Sequence, residues 1–195
     1  MSLASHMLAL FERPELRSPA ECLARPCPIP DRGGIYAWYF CEVPKGVPAA
    51  DCLVRDGCTL LYVGISPSRI PSQSTLRTRI RTHLRGNASQ STFRLSLGCV
   101  LSTKLGIELR RVRSKSKHRL TFAEGESKLC AWLERNARVA WSLAEEPWEY
   151  EHALISRVSL PLNIDANRQH VYRPTLKLLR DNARKLAETR PVLAR

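Results

Sequence analysis

The chain has 195 residues, 44% hydrophobic and 25% charged, enough for one domain with its own core and too apolar for disorder. A net charge of +13 and a pI of about 9.9 point to a polyanionic partner, nucleic acid before membrane, although a solvated basic surface explains the charge nearly as well. No run of about 18 apolar residues occurs, which excludes a transmembrane helix and argues against a membrane partner.

Met1 to Met7 lacks the apolar stretch of a signal peptide, and Ser5-His6-Met7 reads as a vector remnant. Pro14, Pro19, Pro26, Pro28 and Pro30 make residues 1–32 an extended arm with at most one helical turn. Two runs bounded by glycine and proline then read as strands: Gly33-Gly34-Ile35-Tyr36-Ala37-Trp38-Tyr39-Phe40 and Thr59-Leu60-Leu61-Tyr62-Val63-Gly64-Ile65-Ser66. Each sets a tyrosine beside a glycine, where another group can approach the backbone closely. Either run alone reads as a core strand with a buried tyrosine. Residues 41–58 form an inserted surface loop between them. Seven cysteines occur with no Cys-x-x-Cys spacing. Cys22 with Cys27, or Cys52 with Cys58, is a weak metal candidate; free thiols in a reducing cytoplasm are the preferred reading.

Ser74 to Gly86 predicts a helix, with Leu76, Ile80, His83 and Leu84 on one face and Ser74 or Thr75 as cap. Arg79 and His83, four apart, lie one above the other. Asn87 to Gln90 is a polar turn, and Phe93, Leu97, Val100 and Leu101 share one face of a further helix. Arg110 to Arg119 is a dense basic run, read as a hairpin that touches phosphates, or as a solvated loop. Thr121 and Glu124 have capping-box spacing and open a helix to about Asn136. Arg138 to Leu143 predicts a third strand. Pro147 starts a helix carrying Glu151, and Pro161-Leu162-Asn163 follows. Thr175 to Glu188 is an amphipathic helix with a basic outer face. The domain plan is therefore a 1–32 arm, a 33–165 core with an insertion at about 87–137, and a 166–195 basic helix.

The order Gly34-Ile35-Tyr36, Tyr62-Val63-Gly64, an arginine helix, Glu151 with Leu154 and Ile155, then Pro161 and Asn163 resembles the GIY-YIG nuclease superfamily. One motif is weak; five in order are specific. The resemblance covers residues 33–165 and implies an α/β (α+β) fold, a small three-stranded antiparallel sheet flanked by helices. It also implies a divalent-metal-dependent endonuclease that hydrolyses DNA phosphodiester bonds. Glu151 would hold one Mg²⁺ or Mn²⁺ ion, as a hard oxygen ligand completed by water and phosphate. Tyr62 would be the general base, with Tyr36 positioning or sharing the role. A free tyrosine titrates near pH 10, so nearby cations must favour its anion.

On the same resemblance Arg79 grips the scissile phosphate, where a planar fork suits two oxygens. His83 stands where the family has tyrosine or histidine; on its own it reads equally well as a satisfied histidine on a half-buried face. Asn163 stands behind Glu151 or caps the nearby turn, and Gly64 gives room beside the tyrosines. Arg77, Arg81, Arg85, Arg111, Arg113, Lys115 and Lys117 are the candidate phosphate contacts. One departure stands out: several family members carry a lysine after the second glycine, and here Ile65-Ser66-Pro67 takes its place, with Arg77 or Arg81 as substitutes. The competing reading is a nucleic-acid-binding module with the same fold and little or no cleavage; a structural protein built on the arm and tail is the third. Single-stranded, duplex and branched DNA all remain open as partners.

Overall fold

The computed structural model describes residues 2–69, 71–113, 119–165 and 167–194. Its centre is an antiparallel sheet of β1 (Gly34–Phe40), β2 (Val54–Arg55), β3 (Cys58–Ser66) and β6 (Ala137–Leu143), in the order β2-β3-β1-β6. The sheet has four strands where three are expected. The extra one is two residues of the inserted loop, which turns through Asp56 and Gly57, both at positive φ, to pair Val54 with Thr59. A separate hairpin joins β4 (Arg110–Val112) to β5 (Arg119–Thr121).

β1 is buried along its whole length because it is covered on both faces. Tyr36, Trp38 and Phe40 face a core shared with α3 (Leu76–Arg85), α4 (Thr92–Val100) and α6 (Gly125–Asn136). Ile35, Ala37 and Tyr39 face a second core with the N-terminal helices and α7 (Trp148–Ile155). The β1–β3 register runs Tyr36 to Gly64 and Trp38 to Tyr62, then slips, so that Tyr39 meets Leu60 and Leu61 is extra. This bulge matters for the site. Leu60, Val63 and Ile65 belong to the second core, whereas Leu61 and Tyr62 both pack on the first. Strict alternation would send Leu61 to the other face; the extra residue re-aims the strand beside Tyr62.

The short β2 leaves the outer edge of β3 open beyond Leu60, and the segment after α7 covers it. Leu162 donates its backbone N–H to Leu61 O (3.1 Å), and Asn163 brackets Val63, accepting from its N–H (2.9 Å) and donating to its carbonyl (2.7 Å). Edge groups that a strand would pair are thus satisfied by one backbone N–H and one amide side chain.

The arm is not extended throughout. α1 (Leu3–Met7) continues into a π-helical turn, Leu8–Glu12, and α2 (Pro19–Leu23) starts from a capping box of Ser18 and Glu21 with proline at its first position. His6 is fully buried, hydrogen-bonded to Ser142 (2.9 Å) and edge-on to Tyr150, so the segment around it packs into the fold. Cys41 and Cys58 are also not free thiols. They flank the last β1–β3 pair, with Cα atoms 4.1 Å apart, and form a disulfide. Cys22, Cys27, Cys52, Cys99 and Cys130 remain free.

Residues 87–137 buttress the arginine helix. The fully buried Arg94 guanidinium donates to the His83 and Leu84 carbonyls (3.0 and 3.2 Å) and pairs with Glu126 at 2.6 Å. α6 starts later than predicted. Thr121 is taken into β5, Ala123 turns at positive φ, and Glu126 accepts from the Phe122 N–H and the Thr121 hydroxyl. α8 (Arg173–Thr189) packs on α4, and Arg111 caps its end by donating to the Ala187, Glu188 and Arg190 carbonyls. No helix among the described residues is long and apolar enough to cross a membrane.

Candidate active site

Tyr36 sits in mid-β1 with its phenol laid across Gly64 of β3. A methyl group built on Gly64 would come within 2.6 Å of Tyr36 Cζ, so the glycine exists to admit that ring. α3 crosses this face, held at its start by Thr75, which accepts from Thr78 N–H. Its buried side presents Leu76, Ile80, His83 and Leu84 as the periodicity predicts. Gly86 ends it in extended rather than left-handed backbone.

His83 Nε2 lies 2.8 Å from the Tyr36 hydroxyl, and His83 Nδ1 lies 2.7 Å from Ser91 Oγ. Ser91 is the N-cap of α4 and accepts from Arg94 N–H. Burial first, then the charges of Arg79 and Arg94, hold His83 well below the usual imidazole range, so it is neutral. A neutral ring donates from one nitrogen and accepts at the other. Of the two tautomers these contacts admit, the one in which the Ser91 hydroxyl donates to Nδ1 directs Nε2–H at Tyr36 and favours its anion.

Burial pushes both tyrosines up. For Tyr36, Arg79 and the Tyr62 hydroxyl act against that rise. For Tyr62, the Tyr36 and Glu151 charges add to it, and it lies well above the ordinary phenol. Arg79, half-buried on α3, faces Tyr36 and is steadied by donating to the Gln90 carbonyl (3.3 Å). Glu151 on α7 shares a cleft with Tyr62, Leu162, Asn163 and Asp165. Burial, with Asp165 adding like charge, pushes its carboxyl up, and no cation forms an ion pair with it among the described residues.

The structure thus brings together Tyr36, Tyr62, Arg79, His83, Glu151, Asn163 and Gly64. The candidate phosphate contacts are scattered. Arg81, Arg85 and Arg113 are exposed. Arg77 is occupied by the Ile29 carbonyl (2.9 Å) and Asp31 (3.5 Å), and Arg111 by the end of α8. Lys115 and Lys117 lie outside the described residues. Sequence reading missed Ser91, Asp165 and Arg180. Only Ser91 had a local signal, as a serine opening an apolar helical run.

An antiparallel sheet flanked by helices, with Tyr62 and Glu151 lining one cleft and Tyr36 and Arg79 close enough to act on Tyr62, defines an α+β domain of nuclease type. Residues 34–185 match the family model described as the GIY-YIG catalytic domain, and the chain belongs to that family. No curated protein and no solved structure matches it significantly.

Nucleases of this family are generally divalent-metal dependent. The donor set here fits such an ion. Glu151 and Asp165 are two hard oxygen donors lining one cleft, and their mutual repulsion is the kind a cation relieves. No group of three or more His, Cys, Asp or Glu converges among the described residues. Mg²⁺ or Mn²⁺ takes one or two protein carboxylates and fills its shell with water and phosphate, so Glu151 and Asp165 are the residues that would hold it.

Proposed function

We propose that this chain is a divalent-metal-dependent endonuclease that hydrolyses DNA phosphodiester bonds. The observation that carries the reading is the convergence of Tyr36, His83, Arg79 and Glu151 from β1, α3 and α7, beside the cleft that Glu151 and Tyr62 line. Phosphodiester hydrolysis needs an activated water, neutralisation of charge at phosphorus and help for the leaving oxygen. A bound Mg²⁺ or Mn²⁺ ion on Glu151, with Asp165 beside it, would supply Lewis-acid charge neutralisation.

Tyr36 is the better base. Arg79 acts on both tyrosines, but only Tyr36 has His83 in hydrogen-bond contact, and only for Tyr36 does the neighbouring tyrosine hydroxyl also oppose the rise, so Tyr36 takes the proton of the attacking water. Arg79 also stands in for the absent family lysine, since Arg77 is tied to the arm and Arg81 is exposed. It donates to the phosphate under attack, while Tyr62 orients water and substrate. Asn163 acts indirectly, by fixing the β3 edge between Tyr62 and Gly64. Arg81, Arg85 and Arg113 bind flanking phosphates. Binding alone has no use for Glu151, because an acid facing phosphates weakens affinity unless a cation bridges them.

The test is incubation of single-stranded, duplex and branched DNA with Mg²⁺, with and without EDTA. Cleavage that requires the ion and disappears in Glu151→Ala, with DNA binding kept, is expected. Binding without cleavage of any form by the unaltered chain would overturn the enzyme reading.

A further inference from the structure

The cleft that holds Glu151 has a second wall, made by Thr92 and Ser96 of α4 and by Arg180 of α8. Arg180 is the one basic residue lining it among the described residues. It makes no hydrogen bond or ion pair with any described residue, and its Nε is buried with nothing to donate to. The nearest acids do not pair with it. Asp181 is held by Arg184 at 2.9 Å, and Asp165 acts only at longer range. Arg17, Arg94 and Arg110 also bury an unpartnered Nε, but each has an acceptor elsewhere on its guanidinium; of these four, Arg180 is the one with no hydrogen bond or ion pair to a described residue, and a buried donor left unpaired is costly. Nor is it a second hand on the reacting centre: Arg79, not Arg180, is the cation acting on both tyrosines.

We propose that Arg180 receives a backbone phosphate of the nucleic acid flanking the one that is cut, at the wall it shares with Thr92 and Ser96. A planar fork of donors suits phosphate oxygens, and the missing acceptors of Arg180 are what a phosphate would bring. The tail helix then belongs to the substrate cleft. The substrate would then meet two cations from different elements, Arg79 from α3 and Arg180 from α8, the latter sharing its cleft with Glu151 and Asp165. The inference rests on the nuclease reading above.

The experiment compares Arg180→Gln, Arg180→Lys and Lys185→Gln with the unaltered chain, Lys185 being an exposed α8 cation outside the cleft. Binding of a labelled mixed-sequence duplex is measured against salt with Ca²⁺ in place of Mg²⁺, and single-turnover cleavage with Mg²⁺. Arg180→Gln is expected to lower the salt slope by about 0.9, the signature of one lost phosphate contact. Its cleavage rate should fall about tenfold, less than the 10²–10³ lost with a donor at the reacting centre. Arg180→Lys should recover the slope and part of the rate. If Arg180 is instead a counter-ion for Asp165 and Glu151, Arg180→Gln leaves the slope unchanged and tightens Mn²⁺ binding, and the proposal falls. Equal losses in Lys185→Gln would reduce it to the general basic field and overturn it as well. If the unaltered chain neither binds nor cuts, the nuclease reading fails first; if it does both and Arg180→Gln matches it, only this inference fails.

Discussion

Gly64→Ala puts a methyl group where the Tyr36 ring already lies. The new carbon would sit 2.6 Å from Cζ and 2.9 Å from Cε2, against about 3.5–4.0 Å for carbon atoms in ordinary contact. The phenol must therefore recede by about 1 Å, since the other party is β3 backbone held on both edges. That stretches the 2.8 Å contact to His83 beyond the hydrogen-bond range and takes the hydroxyl away from Arg79. A 1 Å misplacement of a reacting group costs about 10² in rate, and overpacking a core of this kind costs about 1–3 kcal/mol. Single-turnover cleavage in Mg²⁺ reads the first, urea denaturation the second, and DNA affinity in Ca²⁺ should change little. In a Tyr36→Phe background the same glycine change should cost far less activity, because the group it displaces has already lost its function. A Gly64→Ala protein that cleaves at the unaltered rate would refute both the role of Tyr36 and the reason given for the glycine.

Three further outcomes follow from the site. Tyr36→Phe should lower cleavage by about 10²–10⁴ while leaving the fold intact, with Tyr62→Phe the milder variant; the reverse order in a pair of rate measurements would return the base to Tyr62. Arg79→Ala should lose about 10²–10³ in rate together with some affinity, and a loss under tenfold would make it an ordinary helix arginine. His83 is held low by burial, so the unfolded chain takes its proton first as pH falls. Its contribution to stability is complete above the unfolded value near 6.5 and is lost below it, at about 1.4 kcal/mol per pH unit per proton. His83→Gln should flatten that acid limb by about one proton in denaturation curves, and an unchanged limb would place the titration on His6 or His170, also depressed by burial.

The elements that the sequence made legible are those whose signal is local. β1 and β3 read as apolar runs between glycines, and α3 shows its buried face at helical spacing. β6, α7 and α8 fall where their patterns put them. What stayed hidden depends on partners far along the chain. Two residues of β2 carry no alternation to read. The bulge at Leu61 appears only once β3 meets β1, and the disulfide follows from the same register. The capping box at Thr121 was a genuine pattern that lost to tertiary context, because β5 and Glu126 claimed its members. In the arm, proline counting hid two helices, although Pro19 at a first helical position is the one place where proline favours a helix.

Residues 87–137 show why Arg79, the arginine proposed to grip the phosphate, cannot be understood from α3 alone. Arg79 is held through the Gln90 carbonyl, His83 through Ser91, and the end of α3 through Arg94, and all three partners lie within residues 90–94. Arg94 in turn depends on Glu126, thirty-two positions on, in a pair with no exposure on the arginine side. Removing one member of such a pair leaves a buried charge uncompensated, typically costing about 3–5 kcal/mol, so damage at Glu126 should reach His83 and Tyr36 through the α4 cap before it reaches the sheet. Residues 87–137, expected from the motifs as an elaboration and lying within the stretch the family model matches, therefore set the geometry of the residues the family motif names.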